Sequence, residues 1–175
     1  MLNEYNPQDF TKESNFFPKQ LEALNASRRF KFTLFGGSVG SGKSRWLRWM
    51  TLYWLIDYYQ RYNIKGVRAG LFCEDYPSLN DRHLSKIKFE FPYWLGNFNE
   101  SKHELTLNNK HGGGIIAFRN LDDPSKYLSV EFAVIAIDEI NRNPKTTFDM
   151  LRSRHRWPGI KDVKFIAGCN PLGEA

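Results

Sequence analysis

The chain has 175 residues, of which 41% are hydrophobic and 25% charged, and its formal net charge is +6 at pH 7. This length suits one domain with a hydrophobic core, and the composition is that of a globular protein rather than a disordered or membrane-embedded one. No apolar run reaches the roughly 18 residues that span a bilayer, the N-terminus lacks a secretory signal, and Cys73 and Cys169 show no metal-ligand spacing. We therefore expect a reduced, intracellular protein.

Hydrophobic periodicity predicts helices that alternate with strands along most of the chain. In chain order, the predicted elements are a helix at 18–27, a strand at 29–37, a long helix at 43–62, a strand at 66–73, a helix at 81–91, a hairpin of 103–107 with 114–120, a strand at 131–140, a helix at 144–157 and a strand at 162–171. The run at 131–140 is almost continuously apolar, which is typical of a strand buried on both faces of a parallel sheet. The pattern predicts one α/β domain with a mainly parallel central sheet flanked by helices, and ligands at the carboxyl ends of its strands.

A phosphate-binding motif lies between the first predicted strand and the long helix. Residues 37–44 match the pattern G-x-x-x-x-G-K-[ST] at every fixed position. Glycines let successive backbone N–H groups turn toward a phosphate, and the following helix directs its positive end at the same anion. Lys43 would reach the β- and γ-phosphates, and the Ser44 hydroxyl would ligate Mg²⁺. The predicted nucleotide-binding residues are Gly37, Ser38, Val39, Gly40, Ser41, Gly42, Lys43, Ser44 and, directly after the motif, Arg45.

Two acids and an amide end later strands. Asp138 and Glu139 close the buried strand, and because adjacent side chains point different ways, Asp138 can hold Mg²⁺ while Glu139 activates a water. Burying both carboxylates beside an apolar strand would be costly without a metal or another partner. Asn170 ends the last strand, where its amide can bond to the γ-phosphate or the water; a simple turn asparagine before proline is the alternative. We predict catalytic roles for Lys43, Glu139 and Asn170, and a metal shell from Ser44 and Asp138.

A basic window lies near the C-terminus. Between positions 141 and 164, seven basic residues accompany two acids, so the window carries a net charge of +5. A local basic surface suits a polyanion, and a solvated face without a partner is the other interpretation. The seven residues are Arg142, Lys145, Arg152, Arg154, Arg156, Lys161 and Lys164.

Together these segments resemble the ATPase domain of phage large terminase subunits, the motors that pump double-stranded DNA into procapsids. The segments that carry the resemblance are 16–24, 36–44, 118–140, 148–159 and 168–173. The resemblance implies a P-loop NTPase of the additional-strand, catalytic-glutamate type, with ATP and Mg²⁺ as ligands. It also implies that Gln20 reads the adenine base, that Glu139 is the catalytic base and that Asn170 couples hydrolysis to movement.

The sequence departs from the terminase pattern at two arginines. Many terminases carry an arginine early in the phosphate motif, where this chain has Ser38 and Val39, although Arg45 follows the motif. Some relatives supply an arginine finger to the neighbouring subunit from a position that is Leu128 here. The candidates for such an arginine in this chain are Arg119, Arg152, Arg154 and Arg156.

The resemblance also implies partners. It implies self-association into a ring on a portal, a small terminase subunit, sequence-independent contacts to double-stranded DNA, no membrane, and the host cytoplasm as location. We expect residues 1–175 to be the motor domain of a longer protein whose nuclease domain lies beyond them, so the chain itself should have no nuclease activity.

Two other functions compete with a terminase motor. A superfamily 2 helicase or related DNA-dependent ATPase shares the upstream glutamine and the acid pair, but it would need a second motor lobe for which 175 residues leave no room. A nucleotide-binding scaffold module without turnover would be indicated by a degraded acid motif, whereas IAIDE at 135–139 is intact.

Overall fold

A computed structural model of the chain describes Phe10 and residues 13–171, and its centre is a seven-stranded β-sheet. The strands are β1 (Phe32–Gly36), β2 (Arg68–Cys73), β3 (Gly96–Asn99), β4 (Glu104–Leu107), β5 (Ile115–Asn120), β6 (Val134–Ile137) and β7 (Lys164–Cys169). Their order across the sheet is β1-β7-β6-β2-β5-β4-β3. The first five strands in this order are parallel, and β4 and β3 complete the sheet as antiparallel strands.

The position of β7 determines the subtype of the fold. This strand lies between β1, which leads into the phosphate motif, and β6, which leads into Asp138 and Glu139. Its register pairs Gly36 with Cys169 and Ile137 with Ala167, so the ends of all three strands are level. The additional strand between the two motif-bearing strands confirms the predicted fold class.

Helices cover both faces of the sheet. They are α1 (Pro18–Arg29), α2 (Lys43–Tyr62), α3 (Tyr76–Leu79), α4 (Ser85–Glu90) and α5 (Lys145–Ser153), and a π-helical turn (Asn80–Leu84) joins α3 to α4. The core between α2 and the sheet includes Trp46, Leu47 and Ile116, while the core on the opposite face includes Phe72, Phe165 and Leu151, the last of these from α5. None of the helices within the described residues is long and apolar enough to cross a membrane.

The long helix α2 is buried around its whole circumference rather than along one stripe. Residues 46–52 span almost two turns and therefore face every direction around the helix, and none of them is more than 5% exposed. One side of α2 packs on the sheet, and aromatic rings from the N-terminal region, such as Phe10 against Trp49, cover another side. A helix enclosed in this way is usually hydrophobic all round, and this one also buries the charged Arg48.

Three elements differ from the sequence predictions. The helix predicted at 81–91 begins earlier, at Tyr76, because the Asp75 side chain accepts a hydrogen bond from Ser78 N at 2.8 Å and caps it. The helix predicted to reach 157 ends at Ser153, since His155 instead forms a parallel bridge with Phe132 beside β6. Strand β3 was not predicted, because it is short and polar and pairs only with the hairpin strand β4. The predicted hairpin itself is confirmed.

Candidate nucleotide-binding site

The predicted site residues meet at the carboxyl ends of β1, β7 and β6. A pocket opens at this edge of the sheet, as expected for ligand sites in parallel α/β folds. Its lining consists of residues 39–45 together with Arg82, Glu139, Arg142 and Asn170. The structure therefore brings together the phosphate motif, the catalytic acid candidate and the strand-end amide.

The phosphate motif forms a tight loop whose shape depends on two glycines. Gly40 and Gly42 have φ angles of +83° and +75°, a left-handed conformation that side chains other than glycine adopt only with strain. Lys43 begins α2 directly after Gly42. The Lys43 ammonium donates to the carbonyl oxygens of Gly37 and Ser38, both at 2.9 Å, and to Ser41 Oγ at 3.0 Å. The positive charge of Lys43 therefore lies against the loop that would receive a phosphate.

Gln20 connects helix α1 to the phosphate loop. It is fully buried; its Nε2 donates to the Gly42 carbonyl oxygen at 2.9 Å, and its Oε1 accepts from Phe17 N at 2.9 Å. In this conformation the amide contacts the loop and the first turn of α1, and Gln20 does not line the pocket. The role of Gln20 in reading adenine stays a prediction.

The two candidate metal ligands are in direct contact. Ser44 Oγ donates to Asp138 Oδ2 at 2.6 Å, and His83 Nε2 lies 2.9 Å from the same oxygen. Burial acts to raise the pKa of Asp138, but the hydrogen bonds from His83 and Ser44 outweigh it and hold that pKa below its usual value. Burial lowers the pKa of His83 below its usual value.

Cys73 lies beside this pair, although its sequence spacing had shown no ligand pattern. Its sulfur and the ligand atoms of His83 and Asp138 are all within 4.8 Å of one another. Burial, assisted by the negative charge of Asp138, raises the pKa of the Cys73 thiol. Mg²⁺ prefers oxygen ligands to a thiol, and Asp138 Oδ2 already has Ser44 and His83 as hydrogen-bond partners, so we describe this cluster as packing around Asp138.

Glu139 has an unusual backbone conformation and a specific partner. Its φ of 51° places it in the left-handed region, which costs a non-glycine residue about 1–3 kcal/mol and is concentrated at functional sites. Asn170 donates twice to its carboxylate, from Nδ2 to Oε1 at 2.7 Å and from the backbone N to Oε2 at 3.2 Å. The strained backbone thus directs the Glu139 carboxylate toward the end of β7.

Two arginines that were not predicted to bind nucleotide, Arg82 and Arg142, line the pocket. Arg82 forms two hydrogen bonds to the Glu74 carboxylate, at 2.7 and 3.0 Å, and Arg142 forms a third at 3.1 Å. Glu74 follows β2, the strand next to β6, so it belongs to the same sheet edge as Asp138. The position of Glu74 after a strand that neighbours β6 could have indicated that Arg82 and Arg142 belong to the site, but the strand order is not evident from the sequence. Arg45, which was predicted, lines the pocket and pairs with Glu90 at 3.1 Å.

The predicted candidates for a trans-acting arginine lie away from this pocket. Arg119 donates to backbone carbonyl groups of residues 102, 103 and 118 and pairs with Glu104 at 2.6 Å. Arg152, Arg154 and Arg156 follow or end α5 near the opposite edge of the sheet: the Arg152 guanidinium lies 5.8 Å from the ring of Phe32, the first residue of β1. None of the four lines the pocket of its own chain within the described residues.

The basic window at 141–164 does not form one continuous basic surface. Arg142 lines the pocket, Lys145 pairs with Asp149 at 2.7 Å, and Arg156 pairs with Glu131. Lys164 is 1% exposed and stacks 4.6 Å from the Trp54 ring. The residues of this window are distributed over a pocket, two faces of the domain and its core.

The strand order and the arrangement of the motifs define the fold of the additional-strand P-loop NTPases. Strand β7 separates the phosphate-loop strand from the acid-bearing strand, and the motif residues of all three strands meet at one edge.

Within that class, the structure is similar to phage large terminases. The large terminase of a thermophilic bacteriophage matches with a TM-score of 0.71 at 16% identity, over 89% of this chain and 39% of that one. The HK97 bacteriophage large terminase matches with a TM-score of 0.68 at 8% identity, over 88% of this chain and 33% of that one. The Thermus phage P74-26 large terminase ATPase domain matches with a TM-score of 0.63 at 14% identity, over 97% of this chain and 70% of that one.

These matches confirm the resemblance at the level of the fold. The first of the three terminases has also been solved with ATP-γ-S and with ADP. This chain spans about two fifths of the length of that protein. No protein-family model matches the chain, and no curated protein matches it.

Proposed function

We propose that this chain is the ATPase motor domain of a phage large terminase, and that Mg²⁺-dependent ATP hydrolysis by it drives double-stranded DNA into a procapsid. The observation that supports hydrolysis most directly is the meeting of Lys43, Ser44, Asp138, Glu139 and Asn170 at one edge of the sheet. A nucleotide-binding module without turnover would not need the acid and the amide beside the phosphate loop.

The residues at this edge suit Mg²⁺. Ser44 Oγ and the Asp138 carboxylate are oxygen donors, which Mg²⁺ prefers, and Asp138 Oδ1 is buried without a hydrogen-bond partner among the described residues. Ser44 would hold the ion directly and Asp138 through water. A bound Mg²⁺ would supply positive charge that offsets the negative charge developing during phosphoryl transfer.

Lys43, Glu139 and Asn170 would carry the remaining steps. Lys43 would exchange the carbonyl oxygens of Gly37 and Ser38 for oxygens of the β- and γ-phosphates. Glu139 would accept the proton of the attacking water, since a carboxylate oxygen that receives one hydrogen bond keeps another lone pair. Asn170 would transfer its amide hydrogen bond to the γ-phosphate or the water, and this exchange would couple hydrolysis to a shift at the end of β7.

An arginine beside the γ-phosphate would complete the machinery. Arg82 and Arg142 line the pocket and could act within one chain. Arg152, Arg154 and Arg156 lie near the other edge of the sheet, and Arg119 is held by the β-hairpin, so these four could serve only a neighbouring subunit. A ring of subunits would satisfy that geometry.

The proposal extends to the whole packaging machine. Residues 1–175 would be the motor domain of a longer chain that carries a nuclease domain, acts with a small terminase subunit and a portal, and works in the host cytoplasm. The length relation supports this division, because the chain covers 39% of the thermophilic bacteriophage terminase but 70% of the Thermus phage ATPase domain. Contacts to DNA would go to phosphates, independent of sequence.

The test is steady-state ATP hydrolysis over a wide range of protein concentration, with Glu139→Gln as the matched variant. Loss of the general base should lower kcat by about 10²-fold or more while ATP binding persists, because Gln keeps the size and one hydrogen-bond acceptor of Glu. Specific activity that rises with concentration would indicate an arginine supplied in trans.

Three results would contradict parts of the proposal. Full activity of the Glu139→Gln variant would remove Glu139 from the chemistry, and loss of ATP binding would give it a structural role instead. Specific activity that is independent of concentration would leave Arg45, Arg82 and Arg142 as the arginine candidates.

A further inference from the structure

A buried chain of polar contacts runs from Asp138 to helix α4, behind the phosphate loop. His83 is 0% exposed, and its Nε2 lies 2.9 Å from Asp138 Oδ2. On the other side of the imidazole ring, Nδ1 lies 3.3 Å from Arg48 Nη1. Arg48, on α2, also pairs with the Glu90 carboxylate and donates to the Arg82 carbonyl oxygen. The motif-bearing helix α2 and the end of β6 are thus joined through one histidine.

The partners of His83 determine its tautomer. A guanidinium has only hydrogen-bond donors, so the nitrogen that faces Arg48 must accept. A ring hydrogen then lies on Nε2, where it can be donated to the Asp138 carboxylate. Asp138 Oδ2 consequently accepts two hydrogen bonds, one from Ser44 and one from His83.

The backbone around His83 supports a specialised role. His83 lies in the π-helical turn Asn80–Leu84, which interrupts the run from α3 to α4. Such turns are rare and occur frequently at functional sites. Here two consecutive residues have different partners. Arg82 lines the pocket and bonds to Glu74, whereas His83 contacts the buried Asp138.

We propose that His83 is a positioning residue for the metal shell of the site. By donating from Nε2, it fixes the rotation of the Asp138 carboxylate, so that Ser44 and Asp138 are held in the arrangement that receives Mg²⁺. Groups that orient metal-binding side chains in this way affect metal affinity about 10–100-fold. This inference rests on the proposed ATPase function and adds a residue to it.

The test compares His83→Gln with His83→Asn. The glutamine amide can place a donor where Nε2 lies, whereas the shorter asparagine amide reaches only the position of Nδ1, facing Arg48. The readout is the Mg²⁺ concentration at half-maximal binding of a fluorescent ATP analogue, alongside binding in EDTA. We expect His83→Asn to raise the Mg²⁺ midpoint about 10–100-fold with binding in EDTA unchanged, and His83→Gln to restore it to within a few-fold.

A second measurement reads the tautomer of His83 in the unsubstituted protein. Nitrogen chemical shifts in an NMR spectrum report the tautomer of each of the four histidines, and His83→Gln assigns the signal of His83. The proposal requires a proton on Nε2, and a ring protonated on Nδ1 alone would overturn it.

The outcomes distinguish the proposed function from the role of His83. Absence of Mg²⁺-dependent nucleotide binding by the unsubstituted chain would overturn the proposed function. If the unsubstituted chain binds normally and both variants have the same Mg²⁺ midpoint as it does, only the role of His83 would be overturned. An equal loss of binding in Mg²⁺ and in EDTA would likewise contradict positioning of a metal ligand.

Discussion

Replacing Gly42 with alanine should destabilise the domain more than the same change at Gly40. Both residues have left-handed backbones, with φ of +75° and +83°, so an added Cβ costs each about 1–2 kcal/mol. At Gly40 the new atom has nothing within 4 Å, but at Gly42 it would lie 2.6 Å from Gln20 Nε2. The two substitutions therefore share the backbone cost and differ in one contact.

That contact is difficult to relieve. Gln20 is fully buried and makes two hydrogen bonds, to the Gly42 carbonyl oxygen and from Phe17 N. Moving the amide away weakens both, at about 0.5–1.5 kcal/mol each. We expect Gly42→Ala to lower the free energy of unfolding by about 1–3 kcal/mol more than Gly40→Ala does. For a domain of this size, this corresponds to a further drop in Tm of about 2–12 °C.

Thermal and urea unfolding of the two variants measure this difference. Adding Gln20→Ala to Gly42→Ala should remove the clash, so the double substitution should cost less than the sum of the single ones, because residues in contact are not additive. Equal Tm values for Gly40→Ala and Gly42→Ala, or strict additivity with Gln20→Ala, would refute the anchoring of the phosphate loop to α1 by Gln20.

Two further predictions concern charge. Burial, with the nearby Lys31 charge adding, lowers the pKa of His155 to about 4, so the unfolded chain binds a proton that the folded chain does not as pH falls from about 6.5 to about 4. Unfolding in urea should show that His155 contributes up to about 3 kcal/mol of stability lost across that range, and His155→Phe should remove that share of the pH slope; an unchanged slope would contradict the assignment. Glu74→Gln should free the guanidinium groups of Arg82 and Arg142 in the pocket and tighten binding of a fluorescent ATP analogue several-fold at low salt, because the two arginines lose a shared anion. The control is Asp149→Asn, which removes an equal charge from the exposed face of α5; equal effects of the two variants would mean that net charge alone is responsible.

The features that could be predicted from the sequence are those that depend on neighbouring residues. The phosphate loop is built from the backbone of one contiguous segment, so the spacing of Gly37, Gly42, Lys43 and Ser44 is enough to predict its conformation. The apolar run before Asp138 likewise identified a strand buried on both faces, because consecutive side chains of a strand point to opposite faces and all of them are apolar here. Parallel strands then place their carboxyl ends at one edge, which predicted that the acids and the amide would meet there.

What only the tertiary structure decided depends on strand order and on packing. His83, Arg82 and Glu74 belong to the site because β2 lies next to β6 and because a π turn directs two consecutive side chains to different partners, and neither fact is recorded in local spacing. The helix α2 is buried on all sides because other parts of the chain cover it, although its own sequence showed a periodic apolar face. The basic window is dispersed for a related reason: its residues occupy a turn, a helix and a strand, whose side chains point to solvent, to the pocket or to the core according to the element that carries them.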